Sequence, residues 1–346
     1  MNPPPLASSP SAAVIGAGIA GLACARALAD AGWRVRVFEK SRGPGGRSAT
    51  RRSDSGSFDH GAQYFTVRDA TFGRTVAAWA ADAVVAPWSA RVVSLEGSRA
   101  TPIDAAARER QVGVPGMSAL GRALSRGLDL AFECTIVRAA RDPAGWRLDA
   151  ACAPGPAPRG LPERWDWLVC AAPSPQSAAL LAEVPSLAAD VAARTMVPCW
   201  ALMVDFQPHP DTGWDAAFVD DPRVAWAARE ASRPGRPPGF RWVVHATSAW
   251  SRDHLEDDPA HVATRLLEAF RERSGITAPA PAVRAHRWRY ARPDDALPTL
   301  PEHSLLDAAA RAGACGDWAG GGRIEDAWLS GRALAARVLD AANAGR

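Results

Sequence analysis

Val14-Ile15-Gly16-Ala17-Gly18-Ile19-Ala20-Gly21-Leu22-Ala23 is the stretch on which the fold of this chain turns. An apolar run leads into three glycines, and a segment of helical spacing follows. The glycines meet different demands. Gly16 permits a tight strand-to-helix turn, Gly18 lets a diphosphate approach the backbone, and Gly21 lets helix and strand pack closely. The start of any helix leaves its first N–H groups without intrahelical acceptors, here those of Ile19, Ala20 and Gly21, so they face an anion. Residues 12–15 read as a strand, 19–31 as a helix stopped by Gly32, and 34–39 as a second strand with Val35 and Val37 on one face. This βαβ unit predicts a parallel sheet. Glu39 ends the second strand, 18 residues after Gly21 (39 − 21), where a carboxylate accepts hydrogen bonds from ribose hydroxyls. Dinucleotide binding is the expectation.

Outward from that unit, residues 41–56 read as a Gly-, Arg- and Ser-rich loop containing Gly43-Pro44-Gly45-Gly46-Arg47, with Arg51 and Arg52 behind it. Phe58-Asp59-His60-Gly61-Ala62-Gln63-Tyr64-Phe65 follows. Helices are expected at 71–81 and 117–124, and strands at 132–138, 146–151 and 165–171, with a Pro/Gly-rich turn at 154–162. From 173 to 293 tryptophans become frequent. Strands are expected at 199–206, 224–229 and 241–247, and a helix at 260–273 through Val262, Leu266 and Phe270. The chain returns through 313–317 into a last helix, 324–339, whose stripe is Ile324, Ala327, Trp328, Leu334, Ala335 and Val338.

The glycine fingerprint, the Gly-Gly-Arg segment, Asp59-His60-Gly61-Ala62 and the terminal Cys315-Gly316-Asp317 together resemble the flavin-containing amine oxidase superfamily. The resemblance implies an α/β, two-dinucleotide-binding-type (glutathione-reductase-like) FAD domain with an inserted α+β substrate domain built on an antiparallel sheet. The FAD domain is expected over 11–70, 113–175 and 296–346, and the substrate domain over 71–112 and 176–295. The implied FAD is non-covalent. Its contacts fall on Gly16, Gly18, Ile19, Ala20, Gly21, Glu39, Lys40, Gly46 and Arg47, then on Gly61, Ala62 and Gln63 beside the isoalloxazine. The backbone of Ile136 and Val137 meets the adenine, and Gly316, Asp317 and Ile324 close the far end. There the last helix points its positive end at the flavin pyrimidine edge, which stabilises negative charge in reduced flavin. Asp326 stands where the superfamily usually has glycine.

More narrowly, residues 61–66 (GAQYFT), 114–124 (VPGMSALGRAL), 242–247 (WVVHAT), 286–293 (HRWRYARP) and 315–331 (CGDWAGGGRIEDAWLSG) resemble the bacterial renalase-type branch. That resemblance implies oxidation of 1,2- or 1,6-dihydro isomers of NAD(P)H, with hydride passing to flavin N5 and electrons to O2, giving H2O2. Strand alternation over 286–290 puts His286, Trp288 and Tyr290 on one face and Arg287 and Arg289 on the other. Trp288 and Tyr290, with Gln63, Trp226 and His245, are the candidate substrate wall. No catalytic acid, base or nucleophile is assigned, because the cofactor carries hydride chemistry. Alternatives on the same fold are an amine oxidase or another substrate dehydrogenase. A flavin-binding sensor without turnover is a third reading.

Composition narrows the classes. Lys plus Arg number 40 against 37 Asp plus Glu, a net charge of +3 without any basic block, which gives nucleic acid no footprint. Lys40 is the only lysine of the 346 residues. Six scattered cysteines, with no CxxC pair, predict no metal site and are expected as buried thiols in a reducing compartment. Residues 1–10 read as a disordered tail rather than a signal peptide, and no apolar run reaches the roughly 18 residues of a membrane span. A cytoplasmic protein with a small-molecule substrate and O2 as partners is expected, in an oligomeric state the sequence leaves open.

Overall fold

The computed structural model describes residues 9–54, 56–97, 99–103, 109–152, 164–207 and 212–345. The turn expected at 154–162, and the expected tail up to residue 8, lie outside the described residues. The chain forms two compact units. Unit one comprises Met1–Gly46, Leu124–Thr195 and Asp295–Arg346; unit two comprises Arg47–Ala123 and Met196–Asp294.

Unit one is built on a six-stranded sheet in the order Leu305–Asp307, Ala312–Ala314, Trp167–Cys170, Ser11–Ile15, Arg34–Phe38, Asp129–Ala131. Every pairing is parallel except that of the first two strands. Ser11–Ile15 is buried throughout, as a central parallel strand must be when both sheet faces are covered. The helix Ile19–Asp30 buries Ile19 through Ala25 without a break. Its small side chains admit the C-terminal helix Ile324–Ala344 so closely that a Cβ on Gly331 would strike the Ala20 carbonyl oxygen.

Unit two is built on a seven-stranded sheet in the order Ala282–Pro293, Met196–Asp205, Arg241–Ala246, Val224–Arg229, Ala216–Asp220, Val92–Glu96, Arg99–Pro102. One face carries Trp200, Leu202, Trp242 and Val244 against Val262, Leu266 and Phe270 of the helix Pro259–Ser274. That helix is strongly delimited. Asp258 accepts from the N–H groups of Ala260 and His261, Pro259 occupies the first turn, and Gly275 ends it at φ 71°. The opposite face carries Met203 and Val243, packed on Phe58.

Several expectations are corrected. The expected antiparallel sheet contains one parallel pair, Ala216–Asp220 with Val92–Glu96. The loop expected over 41–56 holds a short hairpin, Arg51–Ser53 with Gly56–Phe58. The unit boundaries also differ from the expected domains. Residues 47–70 and 113–123 belong to unit two, where Asp59 accepts from Thr50 Oγ1 (2.6 Å) and Met117 N–H (3.1 Å). Residues 176–195 belong to unit one, where the Arg194 guanidinium donates to the carbonyls of Pro298 and Trp318. Cys134 and Cys152, expected as thiols, are disulfide-bonded: the hairpin Cys134–Asp142 with Gly145–Cys152 sets them directly opposite. Cys24, Cys170 and Cys315 are buried free thiols, as expected, and Cys199 is a half-buried one. Among the described residues no helix is long and apolar enough to cross a membrane.

Candidate functional site

In unit one the strand Ser11–Ile15 delivers Gly16 at φ 108°, a conformation a side chain rarely adopts, and a Cβ there would lie 3.0 Å from the Ala171 carbonyl oxygen. Gly18 caps the helix without any side-chain hydrogen bond. Leu22 is the first N–H to find a carbonyl inside the helix, that of Gly18 at 3.0 Å. A Cβ on Gly18 would meet nothing within 4 Å, so the helix start opens onto space. A Cβ on Gly21 would instead collide with the Gly16 carbonyl oxygen and lie 2.9 Å from the Ala171 Cβ. The second glycine loop closes on the first: Gly45 N–H donates to the Ala17 carbonyl (2.8 Å), Gly18 and Gly45 bridge in parallel, and a Cβ on Gly46 would approach Gly18 Cα to 3.3 Å.

Glu39 is only 6% exposed and doubly held. Its Oε2 accepts from Ala17 N–H and its Oε1 from Ser41 N–H, each at 2.8 Å. Each carboxylate oxygen keeps a second lone pair for a hydroxyl donor. Lys40 is exposed. Val137 sits at a bulge between Ile136 and Arg138, out of the ladder register and 62% exposed. At the far end Gly316 is extended and donates to Ser330 Oγ (2.9 Å), and Asp317 and Ile324 are buried. Asp326, the departure from the superfamily pattern, accepts from the N–H groups of Gly321 (3.0 Å) and Arg323 (2.9 Å). It ties down the loop before the last helix and brings a negative charge to that helix's positive end.

Unit two carries the aromatic candidates. Trp226 pairs with His245, His245 with Ala201, and Ala201 with His286 across four neighbouring strands. Cross-strand partners project to the same face, so one row holds Trp226, His245 and His286, with the small Ala201 between the two histidines. His60 enters from the 59–63 segment. Its ring centroid lies 4.7 Å from that of His286 and 5.0 Å from that of Trp288, and the latter two are 4.4 Å apart. The His60 carbonyl accepts from Trp288 Nε1 (2.9 Å) and lies 3.2 Å from His245 Nε2. A carbonyl can only accept, so His245 carries its proton on Nε2. Burial lowers all three imidazoles, His60 to about 3 and His245 and His286 to about 4, and Arg51 adds to the effect on His60 and His286. All three are neutral at neutral pH.

Two candidates stand apart from the row. The Gln63 amide is committed to protein partners: Oε1 accepts from Arg233 (2.6 Å) and Trp226 Nε1 (3.4 Å), and Nε2 donates to the Asp59 and Gly61 carbonyls. It brackets the 59–63 turn. Tyr290 lies past an irregularity in which Val197 pairs with Arg292 but Cys199 with Trp288, so simple alternation does not carry from Trp288 to Tyr290. Pro198 stands at that point, lacking the N–H a ladder requires. Gly61 has a packing reason for its size, since a Cβ there would strike the Arg47 carbonyl oxygen and lie 3.3 Å from Trp288. Ala62 N–H donates to that same carbonyl (2.9 Å), and the Arg47 guanidinium reaches the Ala291 carbonyl (3.0 Å). Beneath the turn lies a buried ion quartet that sequence reasoning missed. Arg236 pairs with Asp59 and Glu230, and Arg233 with Glu230 at 3.0 Å. Among the described residues no group of His, Cys, Asp or Glu could hold a metal.

A family model described as an NAD(P)-binding Rossmann-like domain matches residues 14–78. A zeta-carotene-forming phytoene desaturase of Myxococcus xanthus is 50% identical over 48 residues, which span 14% of this chain and 9% of the desaturase. Solved structures resemble nearly the whole chain. One is a protein described as a protoporphyrinogen oxidase from Exiguobacterium sp. 255-15, with a TM-score of 0.74, 13% identity, and coverage of 96% of this chain and 99% of that one. An oxidoreductase from Methanosarcina mazei gives 0.68 at 13% identity, covering 94% and 99%. A putrescine oxidase double mutant gives 0.67 at 12%, covering 96% and 100%. At such identities the likeness is one of fold: a mixed α/β architecture containing a Rossmann-like dinucleotide-binding domain.

Proposed function

We propose that this chain is an FAD-dependent oxidase that takes hydride from 1,2- or 1,6-dihydro-NAD(P), returning NAD(P)+ and reducing O2 to H2O2. The observation that carries this reading is the row in unit two, where Trp226 and two neutral imidazoles share one sheet face and Trp288 packs beside them. Such a surface holds a flat ring. Lys40 is the only lysine and belongs to unit one, so unit two itself holds no lysine amine for a Schiff base. A dihydropyridine gains aromaticity by losing hydride, and it needs chiefly to be held flat at a reacting distance of about 3–3.5 Å.

FAD, when bound, would supply the hydride acceptor and the route of electrons to oxygen. The residues of unit one fit a dinucleotide. The N–H groups of Ile19, Ala20 and Gly21 would hold the diphosphate before Gly18, Glu39 would take ribose hydroxyls, and Val137, out of the ladder, would offer backbone to the adenine. The Gly43–Arg47 segment supports FAD over NAD as the resident group, and residues 286–293 support the renalase-type substrate by resemblance.

The test is anaerobic reduction of the FAD-loaded chain, followed by loss of flavin absorbance. Rapid bleaching is expected with the 1,2- or 1,6-dihydro isomers, and little with primary amines, polyamines or 1,4-NADH. Fast reduction by an amine with the isomers inert would promote an amine oxidase, and no bleaching by any donor would leave a flavin-binding sensor.

Glu39→Ala is expected to weaken FAD binding by about 1.5–3 kcal/mol, the worth of a hydrogen bond to a charged group. The apoprotein should also melt lower, because Ala17 and Ser41 lose their acceptor. Equilibrium titration with FAD reads the first effect and thermal melting the second. Unchanged FAD affinity would confine Glu39 to holding the loop.

A further inference from the structure

Two ring faces beside the row in unit two, those of Trp88 and Tyr64, are already covered by the chain's own arginines. Tyr64, Trp88 and Trp226 form a continuous belt, with centroid separations of 6.0, 5.6 and 6.5 Å. The Arg233 guanidinium carbon lies 4.9 Å from the Trp88 centroid, and that of Arg110 lies 5.3 Å from the Tyr64 centroid. Cation–π attraction uses the electron-rich face of a ring, so a face under a guanidinium is lost to a ligand ammonium. Arg233 is not a mobile cover. Its side chain is fully buried, held by Glu230 at 3.0 Å and Gln63 Oε1 at 2.6 Å. Asp59 and Glu230 are engaged by Arg236 and Arg233, and Glu109, next to Arg110 in the chain, accepts from Gln111 Nε2 (2.5 Å). The belt joins the histidine row directly, because Trp226 is the cross-strand partner of His245. The imidazoles bring no negative charge, and Arg51 and Arg233 disfavour positive charge on them.

We propose that Arg110 and Arg233 make the aromatic end of the row, where Tyr64 and Trp88 adjoin Trp226, a cation-excluding site, which takes neutral or anionic planar ligands and rejects ammonium and pyridinium groups. This rests on the reading of the row as the substrate wall and gives it a direction. A neutral dihydropyridine is admitted, while an amine substrate and the pyridinium product are both repelled by like charge.

The experiment is a ligand-observed NMR titration of the FAD-loaded full chain with two near-isosteric series. The first is nicotinamide, nicotinate and 1-methylnicotinamide; the second is benzyl alcohol, benzoate and benzylammonium. In each series the cation is expected to bind at least about tenfold more weakly than the neutral member. Arg110→Leu leaves the buried quartet intact and should narrow that gap roughly threefold, the scale of one exposed cation–π or like-charge contact. Cations binding as well as neutral members, a gap that Arg110→Leu does not move, or no binding by any probe would each overturn the proposal. A charge order in the benzyl series without nicotinamide binding would sustain it and sink the dihydronicotinamide reading. Nicotinamide binding without charge order would do the reverse.

Discussion

Lowering the pH from 8 to 5 is expected to remove about 5 kcal/mol of stability from the folded chain, chiefly through His60, His245 and His286. Burial holds these imidazoles at about 3, 4 and 4. An unfolded histidine titrates near 6.5. Between those values the unfolded chain takes up protons that the folded chain refuses, so stability is full above about pH 7 and falls with pH until the folded values are passed. At pH 5 each histidine lies about 1.5 pH units below its unfolded value, worth roughly 2 kcal/mol at 1.36 kcal/mol per unit. Glu230 opposes the trend, because burial raises its carboxyl and its protonation eases as pH falls. The carboxylates of Asp215 and Asp221, held low by Arg91, Arg223, Arg229 and Arg273, release their stabilisation only below about pH 4. Since whole domains are stable by about 5–15 kcal/mol, unit two should approach its limit at pH 5. Urea unfolding at pH 8, 6.5 and 5 measures this, and His245→Gln should remove about a third of the slope. A midpoint constant from pH 8 to 5 would show that the imidazoles are not buried as neutral groups.

What the sequence could and could not disclose follows from the range of each interaction. The 11–39 unit is local: a run, a glycine spacing and a helical period lie within thirty residues, and the structure places strand, helix and strand where those signals put them. The helix Pro259–Ser274 is legible for the same reason, since its apolar stripe, its cap and its terminal glycine are all contiguous. The row containing Trp226, His245 and His286 is half legible. Period 2 fixes which side of each strand a residue takes, but only the register decides that these three stand level. The quartet under the 59–63 turn was out of reach. Glu230 meets the Asp59 N–H across 171 positions, and Arg233 and Arg236 look like ordinary surface arginines of a Pro/Gly-rich loop. The same limit hid the Cys134–Cys152 pair, since a separation of 18 residues matches no motif until the hairpin turn is known. The partners of the Gln63 amide were equally out of reach, since Trp226 and Arg233 lie 163 and 170 positions away.

Two glycines of one fingerprint should fail in opposite ways. Gly21→Val is expected to cost about 3 kcal/mol or more and to abolish FAD retention, because overpacking against backbone cannot be relieved by a rotamer change. Its Cβ would strike the Gly16 carbonyl oxygen and press on the Ala171 Cβ, so the helix must move off the strands that hold the turn. Gly18→Ala meets no such obstacle. Gly18 has φ −73°, open to any residue, and its Cβ would find nothing within 4 Å. The apoprotein should therefore keep its stability to within about 1 kcal/mol, the scale of exchanging glycine for alanine at a helix cap. The same methyl would stand in the space before the first-turn N–H groups, where the diphosphate is proposed to lie. FAD affinity should fall at least about tenfold, since a hydrogen bond to a charged group is worth about 1.5–3 kcal/mol and displacement by a methyl weakens more than one. Thermal melting of the apoproteins and FAD titration by fluorescence separate the two cases. Full FAD affinity in Gly18→Ala would move the diphosphate away from this helix start, whereas a Gly21→Val chain as stable as the parent would deny the close helix–strand packing on which the cradle depends.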